Sequence, residues 1–139
     1  MKIVFFIATF LFLVSCKKKV PSIFLGTWKI DSSTNGSTKR LSKPYESGIL
    51  NLKKDGTYTY NLAAADVFNE YSGLFFVSDS INGIKILKLE IGSNYNFYYV
   101  VEKLENNMMQ VSSRQSYDYG DSTIYFTKRD IFKRKESTK

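Results

Sequence analysis

The chain has 139 residues, with 20 Lys and Arg against 13 Asp and Glu, one Cys and no His. The length corresponds to one domain, and 43% hydrophobic with 24% charged residues is a globular composition rather than a disordered or collagenous one. Without His, catalytic triads built on His, zinc sites ligated by His and His proton shuttles are excluded. Most familiar catalytic machinery is therefore ruled out by composition.

The N-terminus has the pattern of an export signal. Lys2 precedes an apolar run from Ile3 to Val14 that is broken by a single Thr. Because a bilayer span needs about 20 apolar residues, this shorter run predicts the hydrophobic region of a signal peptide. The run ends in Leu13-Val14-Ser15-Cys16, which resembles the lipobox of bacterial lipoproteins.

The lipobox resemblance implies that residues 1–15 are a lipoprotein signal peptide and that Cys16 becomes the lipidated N-terminus. Two or three acyl chains suffice for stable membrane anchoring, so we expect an envelope protein held at a membrane, with the outer membrane and a periplasm-facing domain as the specific expectation. The alternative is an ordinary secretory signal that happens to contain a Cys.

Positive charge is concentrated at the two ends of the chain. Residues 16–20 form a basic tether with three Lys, and residues 128 to 139 hold six Lys and Arg against two acidic residues. The segment from 20 to 127 is nearly neutral, with 10 basic and 11 acidic residues. This distribution disfavours a nucleic-acid-binding patch, and the ends either contact anionic headgroups or are simply solvated.

The first half of the mature chain predicts strands and turns. Gly26 to Asp31 alternates, with Trp28 and Ile30 on one face, and residues 32–47 read as a long polar loop. Strands over residues 49–53 and 57–62 flank Lys54-Asp55-Gly56, a hairpin turn signal. We expect a short helical turn or flap over residues 63–71.

The second half continues the same pattern. Strands are predicted over residues 74–78, 84–91, 95–103, 108–114 and 123–128, with a polar loop around residues 117–121. A change of apolar phase between Ile86 and Leu87 predicts a β-bulge. Eight strands without intervening helices predict an all-β fold, an eight-stranded antiparallel up-and-down β-barrel, which is a size that is filled by side chains or holds one small ligand.

Several motifs resemble the lipocalin-like domains of small Gram-negative envelope lipoproteins. They are the Gly26-Thr27-Trp28 entry to strand one, the Leu-x-Leu-x-x-Asp-Gly-x-Tyr run at residues 50–58, and the closing residues 125–128. The resemblance covers residues 21–130 and implies a lipocalin-like barrel there, with a basic C-terminal tail at 131–139. It also implies that Trp28 plugs one barrel end against a basic residue after the last strand, Lys128 or Arg129.

Strand alternation selects the residues expected to point inward: Tyr58, Tyr60, Phe75, Ile86, Phe97, Tyr99, Met109, Val111, Ile124 and Phe126. Their ordinary role is the barrel core. All of them except Val111 and Ile124 are candidate ligand contacts, because aromatic rings with hydroxyl groups also suit the mouth of a binding barrel.

Metal and catalytic sites have little support. Met108 and Met109 are better explained by packing than by copper, and Asp118 and Asp121 supply too few oxygens for calcium. The scattered carboxylates form no telling pair. We therefore expect no metal, no cofactor and no catalytic activity.

Two functions remain open. One is a membrane-anchored, non-catalytic envelope lipoprotein whose barrel binds a small hydrophobic or amphipathic ligand. The other is a protein-interaction module, an envelope scaffold or inhibitor with a filled barrel and loops that contact a partner. A lined cavity would favour the first, and an exposed apolar patch the second.

Overall fold

The computed structural model describes residues 20–35, 47–64, 67–80, 82–92, 95–119 and 122–136. The described residues form a closed antiparallel barrel in which each strand pairs with its neighbours in chain order and β1 also pairs with β8. The strands are β1 (Gly26–Asn35), β2 (Ser47–Leu52), β3 (Thr57–Ala64), β4 (Val67–Asp79), β5 (Lys85–Ile91), β6 (Tyr95–Leu104), β7 (Met108–Tyr119) and β8 (Ser122–Arg134), preceded by a 3-10 helix (Ser22–Phe24). The predicted fold class is confirmed.

In the β2–β3 hairpin, alternating apolar residues point into the core, as the sequence predicts. Leu50 and Leu52 of β2 are buried beside Tyr58 and Tyr60 of β3. The turn between the strands contains Gly56 at φ +87°, which favours Gly, and the Asp55 carboxylate accepts hydrogen bonds from the Thr57 N–H and hydroxyl. These hydrogen bonds lower the pKa of Asp55.

The expected helical turn over residues 63–71 is wrong. β3 continues to Ala64 and β4 begins at Val67, in a register that runs from Thr57↔Leu74 to Ala64↔Val67. Cross-strand backbone hydrogen bonding along this hairpin overrides the helix preference of the Ala residues.

The bulge expected in β5 is also wrong. The register of β5 with β4 and β6 is continuous, so Leu87 and Leu89 point inward and Ile86 lies on the outer face between Ser78 and Val100. The register shifts lie instead between Ile30 and Ser32 and between Val101 and Lys103.

Several strands are longer than predicted. β1 reaches Asn35, β7 reaches Tyr119, and β8 continues to Arg134. Residues 131–134, expected in the tail, therefore belong to the barrel, because all four pair with β1 and residues 131–133 also pair with β7. The predicted polar loop around residues 117–121 is correspondingly shorter.

The barrel has two ends. At the plugged end lie the 3-10 helix and the turns β2–β3, β4–β5 and β6–β7. The far end is the opposite one, where β2 begins and β3 ends. The predicted signal peptide, Cys16 and most of the tether lie outside the described residues.

Candidate functional site

Trp28 closes the plugged end. Its side chain is fully buried, and the indole N–H donates a 2.8 Å hydrogen bond to the carbonyl of Phe24, which is also fully buried. The guanidinium carbon of Arg134 lies 4.3 Å from the centroid of the Trp28 ring. A delocalised cation over an indole face is a favourable contact.

Arg134 connects three segments at this end. Its guanidinium donates to the carbonyls of Ile23, Leu25 and Asn106 at 2.7, 2.5 and 2.5 Å. Gly26 has φ +122°, and a Cβ atom there would lie 2.7 Å from a guanidinium nitrogen of Arg134. The sequence Gly-x-Trp thus leaves room for the arginine that covers the tryptophan.

The predicted plug cation is therefore corrected from Lys128 or Arg129 to Arg134. The reason is the length of β8, whose continuation places Arg134 opposite Trp28 in the strand register. Phe132, two residues earlier and buried, carried the signal that this strand continues past residue 128.

Lys128 and Arg129 lie on opposite faces of β8. Arg129 points outward and donates to Glu102 at 3.1 Å. Burial alone would raise the pKa of Glu102, but hydrogen bonds from Gln110, Ser112 and Arg129 outweigh it and lower the pKa.

Lys128 belongs to a polar cluster inside the barrel. Its ammonium lies 3.1 Å from the carboxylate of Asp130, and the two side chains are 7% and 1% exposed. The Ser33 hydroxyl of β1 donates to the other Asp130 oxygen. Ser113, directly opposite Lys128 in the register, has a buried hydroxyl with no hydrogen-bond partner among the described residues. Burying charges and hydroxyls costs free energy unless they are paired. A cluster of this kind is therefore unusual in the interior of a small barrel, which is ordinarily filled by apolar side chains.

Aromatic side chains of β4 and β6 form an interior wall. The Tyr71 and Phe97 rings meet edge to face at 5.7 Å, and the Phe97 and Tyr99 rings are 6.1 Å apart. Tyr99 is buried, whereas Tyr71 and Phe97 are only partly buried against the core. Tyr71 lies on β4, four strands from β8 in either direction around the barrel. Phe97 and Tyr99 lie on β6, which pairs with β7, so the wall extends from the side opposite β8 to the strand beside the polar cluster.

Tyr58 of β3 lies near this wall, at a place where β4 and β5 approach closely. Its hydroxyl donates to the Glu90 carbonyl at 2.9 Å, and a Cβ atom at Gly73 would lie 2.3 Å from that same carbonyl oxygen. Burial, then the Glu90 carboxylate and Tyr71, raise the pKa of Tyr58. The hydroxyl therefore remains a donor at neutral pH.

The predicted ligand contacts divide into several groups. Buried in one core are Tyr58, Tyr60, Phe75, Tyr99 and Met109, together with Val111. Phe97 lies at the edge of that core, and Ile86 is on the outer face, a correction of the predicted phase. The side chain of Phe126, like that of Ile124, lies outside the described residues.

Sequence reasoning missed Tyr71 and the interior polar cluster. Tyr71 falls in the segment 63–71, for which the sequence predicts a helical turn or flap. Its position is four residues before the inward-facing Phe75, so strand alternation would have placed it on the same face. The sequence prediction places Lys128 at the plug and does not select Asp130, because charged residues are ordinarily exposed, although both alternate in phase with the buried Phe132.

The outer face of the barrel carries a second concentration of apolar side chains. Among the residues whose side chains are described, the exposed large apolar ones all lie between residues 67 and 100: Val67, Phe68, Leu74, Phe76, Ile84, Tyr98 and Val100. Phe76, Lys88 and Tyr98 are neighbours across β4, β5 and β6, and the Lys88 ammonium lies 5.6 Å from the Phe76 ring centroid. We define the outer patch as Leu74, Phe76, Lys88, Glu90, Tyr98 and Val100.

Within the described part of the chain, no group of three or more acidic, Cys or His residues is arranged to hold a metal ion. Over the same residues, no helix is long and apolar enough to cross a membrane. Met109 is fully buried in the core, and Asp118 and Asp121 have no described side chains.

Comparison with known proteins adds no family to this description. No protein-family model matches the chain, and no curated protein is significantly similar to it. The structure itself defines the class of protein: an eight-stranded, antiparallel, up-and-down β-barrel.

Proposed function

We propose that this protein is a membrane-anchored, non-catalytic envelope lipoprotein with a lipocalin-like barrel that binds a small amphipathic ligand. The observation that carries the ligand proposal is the asymmetric interior. A wall of rings, partly buried at Tyr71 and Phe97, continues along β6 to Tyr99 and reaches the neighbourhood of β7, one of the three strands that carry the buried polar cluster. Binding sites commonly combine apolar walls with a few placed polar groups.

Each part of the site has a role toward such a ligand. The rings would contact its apolar part, and Tyr71 and Phe97 pack edge to face within that wall. The Ser113 hydroxyl, buried without a described partner, would pair with a polar group of the ligand. The closed plug at Trp28 directs entry to the far end.

A thermal-shift screen of the purified protein tests this proposal. Fatty acids, isoprenoids, haem and aromatic metabolites are the probes, and a ligand at a hundred times its dissociation constant stabilises the native state by about 2.7 kcal/mol. Tyr99→Leu and Ser113→Ala should each reduce the shift that a hit produces. Tyr98→Leu is the matched control, because Tyr98 is the adjacent residue on the outer face and is 56% exposed.

The ligand proposal fails if no probe raises the melting temperature, or if Tyr98→Leu reduces the shift as much as Tyr99→Leu. Lys135→Ala, an exposed change after β8, serves as a second control and should leave the shift unaltered.

The anchor is tested separately at Cys16. Cells producing the wild type and Cys16→Ser are fractionated and labelled with palmitate. We expect the wild type to follow the membranes and take up label, and the variant to do neither. Equal partitioning of the two proteins would contradict the lipobox interpretation.

The interaction-module function is the second candidate, and the outer patch is the observation that favours it. Large exposed apolar clusters on a soluble domain commonly mark contact surfaces. Among the residues whose side chains are described, they lie on the outer face of β4–β6 and in the β4–β5 turn.

A further inference from the structure

The outer patch needs a partner that covers its side chains rather than its backbone. β5 is paired with β4 along Lys85–Leu89 and with β6 along its whole length, so this wall has no free strand edge there. Association through strand pairing is thereby excluded at this wall, and contact through the outward side chains is what the surface offers.

The apolar part of the patch surrounds an ion pair. Phe76 is 46% exposed and Tyr98 is 56% exposed, and they lie on either side of Lys88 in the cross-strand register. The Lys88 ammonium contacts the Glu90 carboxylate at 2.8 Å, and the two side chains are 29% and 34% exposed. The hydrogen bond to Glu90 raises the pKa of Lys88, so the positive charge is present at neutral pH.

This charge arrangement is complementary to itself. Lys88 and Glu90 are two residues apart on one strand and point to the same face, so a two-fold axis between them brings Lys88 of one copy against Glu90 of the other, and the reverse. Phe76, level with Lys88, then faces Leu74 of the other copy, which is level with Glu90, and Tyr98 faces Asn96 of the other copy. Two twisted sheets pack well face to face in this way, about 10 Å apart.

The same charges argue against a lipid surface as the occupant. The lysines on and around this wall are matched by acidic partners, with Lys85 on Asp79 and Lys103 on Glu105 at 2.7 and 2.8 Å. A face that binds anionic headgroups would carry an excess of positive charge.

We propose that the outer patch is the contact surface between two copies of this chain, related by a two-fold axis that passes between Lys88 and Glu90. The proposal specifies the partner of the interaction-module function and is independent of the interior ligand. An interior site that binds no probe leaves this test unaffected, and a monomeric protein leaves the ligand screen unaffected.

Charge exchange tests the geometry of the contact. The full-length chain is produced in cells with two different tags and with a photo-crosslinking amino acid in place of Val100, and the covalent pair carrying both tags is quantified. Wild type should form this pair. Lys88→Glu and Glu90→Lys should each reduce it about tenfold or more, because each places like charges opposite one another twice across the axis.

Combining the two single variants is the decisive arm. A Lys88→Glu chain produced together with a Glu90→Lys chain should restore the mixed pair, because every contact across the axis again joins opposite charges. The double variant in one chain should also recover. Lys133→Glu is the matched control: Lys133 forms an exposed ion pair with Asp31 on the β1–β8 wall, 3.1 Å apart, and its change should have no effect.

Circular dichroism and melting temperature verify that each variant is folded. Phe76→Ser and Tyr98→Ser, both at exposed positions, should also reduce the pair. The proposal is overturned if wild type gives no covalent pair, if folded single variants pair as well as wild type, or if the two variants together do not recover. A monomer that binds phosphatidylglycerol vesicles through Phe76 also overturns it.

Discussion

The two ends of the barrel differ in how completely their interior polar groups are buried and hydrogen-bonded. At the plugged end, a bulky aromatic is fully buried and its polar atom is hydrogen-bonded, while the cation above it donates to three backbone carbonyls. Toward the far end, the interior holds a charged pair, a hydroxyl without a described partner and rings that are only partly buried.

The difference between the two ends separates the residues that stabilise the barrel from those that form the proposed site. The full burial of Trp28 and the hydrogen bonds made by its indole N–H and by Arg134 make the plugged end a stabilising element. Charges and unpaired hydroxyls inside a barrel reduce stability relative to apolar side chains, and their presence in the other half is the basis of the proposed ligand site.

Truncating the plug should have the largest effect. Trp28→Ala should lower the free energy of unfolding by about 3 to 5 kcal/mol, because it empties a fully buried site. Urea denaturation followed by circular dichroism measures this change, since Trp28 is the only Trp and its fluorescence is lost. Phe68→Ala is the control, because Phe68 is 64% exposed. If Trp28→Ala lowered the free energy of unfolding by less than about 1 kcal/mol, the plug would not be a major stabilising element.

Breaking the interior ion pair should come next. Asp130→Asn should cost about 3 kcal/mol, since it removes the carboxylate that faces the buried Lys128 ammonium at 3.1 Å. Lys128→Met combined with Asp130→Leu should recover most of that loss, because an apolar pair needs no compensation. The same urea titration measures both. A double variant less stable than Asp130→Asn would show that the charged pair itself stabilises the barrel.

Removing the plug cation should have an intermediate effect. Arg134→Met should cost about 2 kcal/mol, because charged hydrogen bonds to Ile23, Leu25 and Asn106 and the contact with Trp28 are lost together. Lys133→Met, at the exposed neighbouring position, should change stability by less than about 0.5 kcal/mol. If the two substitutions lowered the free energy of unfolding equally, Arg134 would not stabilise the barrel through its contacts in the plug.

The smallest effect is expected at the exposed network around Glu102. Its pKa is lowered in the folded state, so its contribution is present above the unfolded value of 4.5 and is lost as the pH falls through the folded pKa. Glu102→Gln should therefore be less stable than wild type by under about 1 kcal/mol at pH 7, and this difference should be smaller at pH 3. Denaturation at the two pH values measures this, and a difference that widens in acid would reverse the sign of the linkage.

Much of the wall of the barrel follows from local pattern. Residues 47–62 form the predicted hairpin because Asp55-Gly56 suits the turn and because alternation at Leu50, Leu52, Tyr58 and Tyr60 requires one buried face. Where the pattern was weak, as in residues 63–71, local propensity pointed to the wrong element.

The candidate site was predicted less completely. Tyr99 and Phe97 were selected correctly as inward residues by alternation, whereas Ile86 was not, because a phase change that looked like a bulge reflects two half-covered faces of a regular strand. The polar cluster escaped prediction because Ser33, Ser113 and Lys128 lie on three strands that only the closed register brings together.

The sequence alone determined the strand number, the main turns and the antiparallel order, since these depend on a period of two and on turn residues within a few positions. Only the tertiary structure decided that Arg134 covers Trp28, that Lys128 and Asp130 face the interior, and that one outer wall remains apolar. Each of these depends on the pairing of β1 with β8, whose partners Trp28 and Arg134 are joined through the whole barrel rather than through neighbouring residues. Closure sets that register by packing and shear, which no local pattern encodes.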